Sequence, residues 1–260
     1  MSMNSQNEPR FLYRYTNLKG DYRDWTRKIL TDSVIHFASP STFNDPFDCR
    51  VRFSQRIVHN LLWRRHADLL KERTTLTRSQ RRAQAKQAVK AIDDAEFINF
   101  MTDELQGFVN KCGVLSLSAN DRNILLWSHY AAGHTGVCLK FVCDEERTFF
   151  AEALRVAYSP TFPDISVTDT KQKQVDAFLL TKASDWRYEQ EYRIIDHNNG
   201  SRDKGFQADL LAGVVLGARM PLEDRKEVAA WTRGRNEPVE LFEAVIVDGS
   251  YSLDIRPYGG

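Results

Sequence analysis

Three stretches of this 260-residue chain set polar side chains beside aromatic rings, and each holds residue types able to do chemistry. The last of them is Trp186 to Arg193, with Glu189-Gln190-Glu191 at its centre. In an extended strand, residues two apart share a face, so Glu189, Glu191 and Arg193 are expected side by side. Two carboxylates so placed can stabilise a developing positive charge and take a proton from an attacking group. The plainer alternative is a solvated strand face carrying Glu–Arg ion pairs. The first stretch joins Leu12-Tyr13-Arg14-Tyr15 to the Ser39–Asp48 loop. Arg14 suits a bidentate grip on a pyrophosphate and Tyr13 suits stacking on a flat ring. The alternative is a first strand with one exposed Arg and a half-buried Tyr. Ser39 and Ser41 can hold strand ends or ribose hydroxyls. Asn44, Asp45 and Asp48 can serve as pocket donors and acceptors. The plainer reading of that loop is an Asx-stabilised turn with Phe43 and Phe47 plugging the core.

The middle stretch is Leu126 to Gly136. His129 with Tyr130 reads as a pocket wall or a general base, or else as a helix-end His bonded to backbone carbonyls. His129 and His134 are five apart and do not share a helix face well, so no metal pair is expected there. Trp127 is assigned to the core. Lys182, ahead of the Glu-bearing segment, either contacts a phosphate or sits on a solvated helix.

These residues need elements to position them. Alternation predicts strands over Val137 to Phe141 and Tyr188 to Asp196, the continuous apolar run Leu210 to Leu216 reads as a central strand, the short apolar stretch Gly113 to Ser118 as another, and Phe11 to Tyr15, Val34 to Ala38 and Val239 to Val247 as further strands. Helices are expected over Trp25 to Leu30, from a cap at Asn120 or Asp121 through Tyr130, from Asp144 through Leu154, over Lys171 to Ala183, and from Pro221 to about Arg233. His197-Asn198-Asn199-Gly200 is turn chemistry and predicts a hairpin-like return. Ile57 to Val109 reads as a helical insertion, with Ala91, Ala95, Ile98, Thr102, Leu105 and Val109 as its core-facing stripe. Within it, Arg64 to Lys90 sets nine bases, Arg78, Arg81, Arg82 and Lys86 among them, against two acids. Strands and helices mix without regular βαβ alternation. The expected fold is therefore α+β, a mainly antiparallel mixed sheet with surrounding helices and a helical insertion. Residues 1–10 are expected to form a disordered leader, and 11–250 a single domain carrying the basic insertion at about 57–110.

Composition narrows the class. Hydrophobic residues make up 42% and charged residues 27%, with a formal net charge of +1. That balance argues against a generally basic nucleic-acid binder, though not against a local basic patch. No run is apolar for long enough to span a membrane, and Met1 to Pro9 has no basic head and apolar run of a secretory signal. A cytoplasmic location is expected. Cys49, Cys112, Cys138 and Cys143 form no CxxC pair and fit ordinary cytosolic thiols better than a zinc site. There is no GxGxxG and no GxxxxGK, which counts against Rossmann and P-loop proteins.

Taken together, Leu12-Tyr13-Arg14-Tyr15, Phe37-Ala38-Ser39-Pro40, Phe43-Asn44-Asp45-Pro46-Phe47-Asp48, Leu115-Ser116-Leu117-Ser118, Leu126-Trp127-Ser128-His129-Tyr130, His134 to Phe141, Lys182, Trp186 and Tyr188 to Ile194 resemble the domain-of-unknown-function 2971 family, found mostly in bacteria. The family name carries no activity. More remotely, an aromatic/Arg first strand, a Ser-bearing second strand and a late Glu-bearing strand look like the mono-ADP-ribosyltransferase arrangement. That likeness implies NAD as co-substrate. Cleaving nicotinamide from NAD builds positive charge on the ribose, as in glycoside hydrolysis. One carboxylate, Glu191, would stabilise that cation, and Glu189 or His129 would take a proton. Tyr13, Arg14, Ser39, Ser41, Asn44, Asp45, Asp48, Tyr130 and Lys182 would bind the cofactor. ADP-ribose would pass to an unknown protein or nucleic-acid acceptor, in a toxin or an anti-phage effector, with no metal. A nucleic-acid-binding or -cleaving protein using Arg78, Arg81, Arg82 and Lys86 is a second expectation. A non-enzymatic ligand-sensing module is a third.

Overall fold

Alternating side chains make Phe11–Thr16 a strand, β1. It is the first element of the computed structural model, which describes residues 9–53, 67–68, 70–71, 75–90, 94–143, 148–166 and 169–259. There follow α1 (Asp21–Asp32), β2 (Val34–Phe37), α2 (Arg78–Lys90), α3 (Asp94–Asn110), β3 (Gly113–Ser118), α4 (Ile124–His129) and β4 (Val137–Val142). Next come α5 (Thr148–Ala151), β5 (Leu154–Arg155), β6 (Ala157–Ser159), α6 (Lys171–Leu179), β7 (Thr181–Ala183), β8 (Glu191–Asp196) and β9 (Arg202–Gly205). The chain closes with β10 (Leu211–Leu216), α7 (Leu222–Arg233), β11 (Glu240–Ile246) and β12 (Leu253–Pro257). The leader up to Glu8, the expected helix start at Ile57, Arg64, Arg65, Arg73, Ala91 and the Asp144 cap lie outside the described residues. No helix among the described residues is long and apolar enough to cross a membrane.

The chain forms two compact units. The larger comprises Met1–Thr42, Cys112–Val156 and Asp185–Gly260. Its centre is an eight-stranded sheet in the order β12-β11-β10-β4-β1-β3-β8-β5. Only β10 and β11 run parallel; the other neighbours are antiparallel, so the fold is α+β with a mainly antiparallel mixed sheet. Strand β9 pairs with β2 in a separate two-stranded sheet rather than returning along β8, so the expected hairpin after Asp196 does not form. Asp196 redirects the chain there: its Oδ1 accepts from the backbone N–H of Asn198 and of Asn199, 3.1 Å each.

Directly opposed residues of antiparallel strands share a sheet face. Tyr13 opposes Ser118, and Ser118 opposes Glu191. One face of the sheet therefore carries Tyr13, Ser118, Ser116, Glu191 and Arg193. Tyr13 and Tyr15 pack on that face against a cluster of Trp127, Ala131, Cys138 and Val215. The other face carries Leu12, Leu115, Leu117, Leu139 and Ile194, the main core, covered by Ile29 and Leu30 of α1. Ile29 and Leu30 are buried with Thr26, at the i, i+3, i+4 spacing that gives a helix one apolar stripe. Asp21 and Asp24 in the first turn of α1 suit its positive dipole end, and Ser33 closes it in the left-handed conformation at φ 55. Helix α4 is capped by Asn123, whose side chain accepts from the N–H of Leu125 and Leu126. The expected cap, Asn120, instead accepts from the N–H of Arg122 in the preceding turn.

The smaller unit comprises Phe43–Lys111 and Ala157–Ser184. Helices α3 and α6 meet where the Lys171 ammonium lies 3.6 Å from the Phe108 ring centroid. Phe53 and Phe178 meet edge to face. Leu105 and Val109 of the expected stripe are buried, and Ala95 is exposed. Gln106 ties down the 49–51 segment by accepting from the Val51 N–H and donating to the Cys49 carbonyl. The helix expected to run to Ala183 stops at Leu179, and Thr181–Ala183 pairs in parallel with β6.

Two consequences can be measured. A Cβ on Gly136 would stand 2.2 Å from the Thr16 carbonyl oxygen, a backbone atom that cannot step aside. Gly136→Ala is expected to cost about 1–3 kcal/mol by overpacking, read as a lower urea midpoint. Burial raises the carboxyl of Asp196, but hydrogen bonds from Lys204, Asn198 and Asn199 outweigh it and bring it down to about 2. A carboxyl depressed in the folded state stabilises the fold above its unfolded value of about 4, and that contribution is lost as pH falls toward 2. Asp196→Asn is expected to remove roughly 2 kcal/mol at neutral pH. It should also flatten the fall in stability between about pH 4 and pH 2.

Candidate functional site

Glu189 ends a 3-10 turn, Ser184–Glu189, and strand β8 begins only at Glu191. Between them Gln190 adopts φ 47, a left-handed conformation uncommon for a residue with a side chain. The three acidic and basic residues are therefore not a row along one strand. Glu191 and Arg193 do share a face, but the face is not solvated. Arg193 is 0% exposed and donates from Nε to Glu191 Oε1 at 2.7 Å and from Nη2 to Oε2 at 3.0 Å. This is a buried two-bond fork in which both carboxylate oxygens are engaged.

The turn is held from two sides. Ser118 Oγ donates to the Glu189 carbonyl at 2.6 Å, and the Ala119 N–H donates to the Gln190 carbonyl. Asn123, which caps α4 with its oxygen, donates its Nδ2 to the Tyr188 carbonyl at 2.8 Å. One side chain thus fixes the start of α4 against the turn. At the other end of α4, the Tyr130 hydroxyl donates to Glu189 Oε1 at 2.7 Å. Glu189 is 4% exposed, and Tyr130 is half-buried.

Beside Tyr130 the rings converge. His129 is exposed, with its centroid 6.3 Å from Tyr130, 6.3 Å from Trp186 and 6.5 Å from Tyr188. Trp186 and Tyr188 are 6.0 Å apart. The His129 ring nitrogens make no hydrogen bond among the described residues, so the expected carbonyl-bonded His is not found. Tyr13 lies on the same sheet face, and burial, followed by the charge of Asp121, pushes its phenol up to about 12. His134 is elsewhere: its ring stacks on Trp127 at 6.1 Å, and burial followed by Arg219 lowers its pKa.

Arg14 does not share the face of this group. Arg14 follows Tyr13 in a regular strand, so it projects to the opposite sheet face from Glu191. It is half-buried, its Nη1 donates to the Ser116 carbonyl at 3.3 Å, and the surrounding protein pushes it down to about 10. Ser39 and Ser41 share a hydroxyl–hydroxyl bond of 2.7 Å around the turn Pro40–Thr42.

In the smaller unit, Asn44 is exposed and Asp45 Oδ1 accepts from the Phe47 N–H at 2.9 Å, the Asx turn expected. Phe47 does not plug a core: it is 63% exposed, because that turn points its side chain outward. Lys182 lies on β7 and not on a solvated helix. Its ammonium is 3.6 Å from Asp48 Oδ2, and both side chains are almost inaccessible. Arg78, Arg82 and Lys86 are exposed on α2, and Arg81 donates to the Leu76 carbonyl.

Sequence reasoning gave no role to Ser118, Asn123, Trp186 or Tyr188. An Asn immediately before the apolar run of α4 is a legible cap signal. Pairing of Ser118 with the turn at Glu189 has no local signal. Among the described residues, no group of three or more His, Cys, Asp or Glu could hold a metal ion.

The buried fork has a stability signature. Arg193→Met removes this two-bond fork from the buried Glu191 carboxylate and is expected to cost about 3–5 kcal/mol. Adding Glu191→Leu should restore most of that loss, since an apolar pair needs no solvation. Urea midpoints of the three proteins test this.

No curated protein and no solved structure matches the chain. A family match covers residues 126–194. It takes in α4 from Leu126 onward, the ring cluster, Glu189 and the Glu191–Arg193 fork, and excludes β1 and the Phe43–Asp48 loop. Over that segment, the chain is similar to the family described as Protein of unknown function (DUF2971).

Proposed function

We propose that the chain consumes NAD, as an ADP-ribosyltransferase or an NAD glycohydrolase, at the site built by His129, Tyr130, Trp186, Tyr188 and Glu189. The observation that carries this reading is the convergence of three rings on His129, with Tyr130 bonded to a buried carboxylate at 2.7 Å. The nicotinamide ring of NAD is flat and positively charged. Aromatic faces attract such a ring, and a carboxylate behind one of them adds to the attraction. As nicotinamide departs with the electron pair of its bond to the ribose, positive charge grows on the ribose carbon. Tyr130 donates a hydrogen bond to Glu189, which makes the phenol oxygen electron-rich and suited to facing that charge. The attacking hydroxyl of water or of an acceptor gives its proton to His129, whose ring nitrogens make no hydrogen bond among the described residues. In this assignment Glu191 braces Arg193 and β8, and Glu189 takes the role expected of Glu191.

A second reading has its own observation. Helix α2 carries Arg78, Arg81, Arg82, Lys86 and Lys90 and no acidic residue, which suits contact with nucleic-acid phosphates.

The test measures nicotinamide release from NAD, with and without cell extract as acceptor. Wild type should release nicotinamide, and NAD should raise its melting temperature. Glu189→Gln and His129→Ala should each lower the rate about 100-fold or more while remaining folded. A folded wild type that neither releases nicotinamide nor is stabilised by NAD sinks the reading. Steeply salt-dependent binding of RNA or DNA, unaffected by NAD, would then assign the activity to α2.

A further inference from the structure

On the two-stranded sheet of the larger unit, His36 of β2 stands opposite Asp203 of β9. Asp203 Oδ1 lies 2.8 Å from His36 Nδ1, and Ser201 Oγ lies 3.4 Å from His36 Nε2 on the far side of the ring. Ser201 immediately precedes β9, and Asp203 is the strand's second residue; both reach the His36 ring. The indole of Trp25 stacks on the imidazole, 4.7 Å between centroids and 3° from parallel. The second oxygen of Asp203 accepts from Lys28 Nζ at 2.9 Å. Hydrogen bonds from Lys28 and then His36 hold the Asp203 carboxyl below its usual range, so it is ionised at neutral pH.

Each contact constrains the imidazole differently. An ionised Asp203 accepts a proton bond, so Nδ1 carries the hydrogen and Nε2 presents its lone pair toward Ser201. Trp25 fixes the ring plane. Lys28 fixes the carboxylate. Ser201 is exposed at the end of the 197–200 turn, after Gly200 at φ 68. A hydroxyl, a base and an orienting carboxylate in this order are the parts of an activated serine, recognised by geometry and not by chain order.

We propose that Ser201 is a nucleophile for acyl transfer, with His36 as its general base and Asp203 as the residue that orients His36, acting on aryl esters. Ser201 Oγ attacks the ester carbonyl carbon while its proton passes to His36 Nε2. The bond from the carbonyl carbon to the aryl oxygen breaks, and the departing phenoxide takes that proton. Water then attacks the acyl-serine, its proton passes to Nε2, and on collapse His36 returns a proton to Ser201 Oγ as the carboxylic acid leaves. Asp203 remains ionised throughout. The aryl part is chosen by the surroundings: Tyr22, 48% exposed, meets Trp25 edge to face at 5.0 Å. Trp25, stacked on His36, is the link to an open cavity of about 440 Å³ that it lines together with Tyr22, Asn17, Lys19, Asp21 and Ala132. That volume is in the range of small-molecule sites, and its rings suit a flat apolar group.

The experiment uses the full chain, a fluorophosphonate probe and p-nitrophenyl acetate. One probe adduct should map to Ser201 by peptide mass and be absent from Ser201→Ala. Nitrophenol release should fall about 100-fold or more in Ser201→Ala and in His36→Gln. Ser201→Ala alters an exposed side chain and should melt as wild type does, so its loss of label cannot be a loss of fold. No adduct on Ser201, or equal nitrophenol release by wild type and Ser201→Ala, overturns the proposal. Neither readout involves NAD, so failure here and failure of the NAD reading are separately visible.

Discussion

Strand β1 has hydrogen-bonded neighbours on both sides, and that placement leaves its side chains no choice of face. Tyr13 and Tyr15 go to the side that carries Trp127, the Glu191–Arg193 fork and the turn at Glu189. Leu12 and Arg14 go to the side covered by α1. The sheet's thickness therefore separates a guanidinium from a carboxylate whose sequence context suggested one shared cleft. A slip of one residue would exchange the two sets, but it would also bring Leu12 out of the main core, where it is 1% exposed. The apolar half of the strand thus decides where the polar half can act.

Given that frame, the polar groups on the Tyr13 face mostly satisfy one another. The fork between Glu191 and Arg193 engages both carboxylate oxygens, and Ser118, Ala119 and Asn123 take up the carbonyls of the turn. The left-handed Gln190 makes this possible: it swings Glu189 out of line with β8 and under Tyr130. Backbone strain of this kind persists only where neighbours over-determine it, and here three hydrogen bonds from other elements do so. What remains accessible is the ring of His129 with its aromatic neighbours. Chemistry at this site is therefore presented by rings, with charge behind them.

Much of this was legible along the chain. Period-two alternation located β4, apolar runs located β3 and β10, Pro221 marked the start of α7, and Asp45 announced its own turn. His129, Tyr130 and Glu189 were each singled out, and the structure brings them together. What was not legible is non-local. Nothing near Thr181 says that a helix will stop at Leu179 so that three residues can pair with β6. Nothing near Arg202 says that β9 will leave β8 for β2, more than 160 residues earlier in the chain. Gln190 looks like any strand residue, because its conformation is imposed by partners on β3 and in its own turn. Phe47 looks like core because large apolar residues usually are, yet the Asx turn that was read correctly aims it outward.

The order of the sheet also constrains how the chain can assemble. β1 emerges first from a ribosome, but its partners β3 and β4 begin at Gly113 and Val137. β10, on the outer edge of β4, comes later still. The nascent β1, with Leu12 and its aromatic neighbours, must wait through nearly a hundred residues before β3 offers an edge to pair with. Such long-range pairing is slow because loop closure comes before any compensating contact. In that interval the strand is an unpaired, apolar edge, the kind of segment that invites association between growing chains. The strand that commits the folded sheet to its two faces is also the one exposed longest during synthesis.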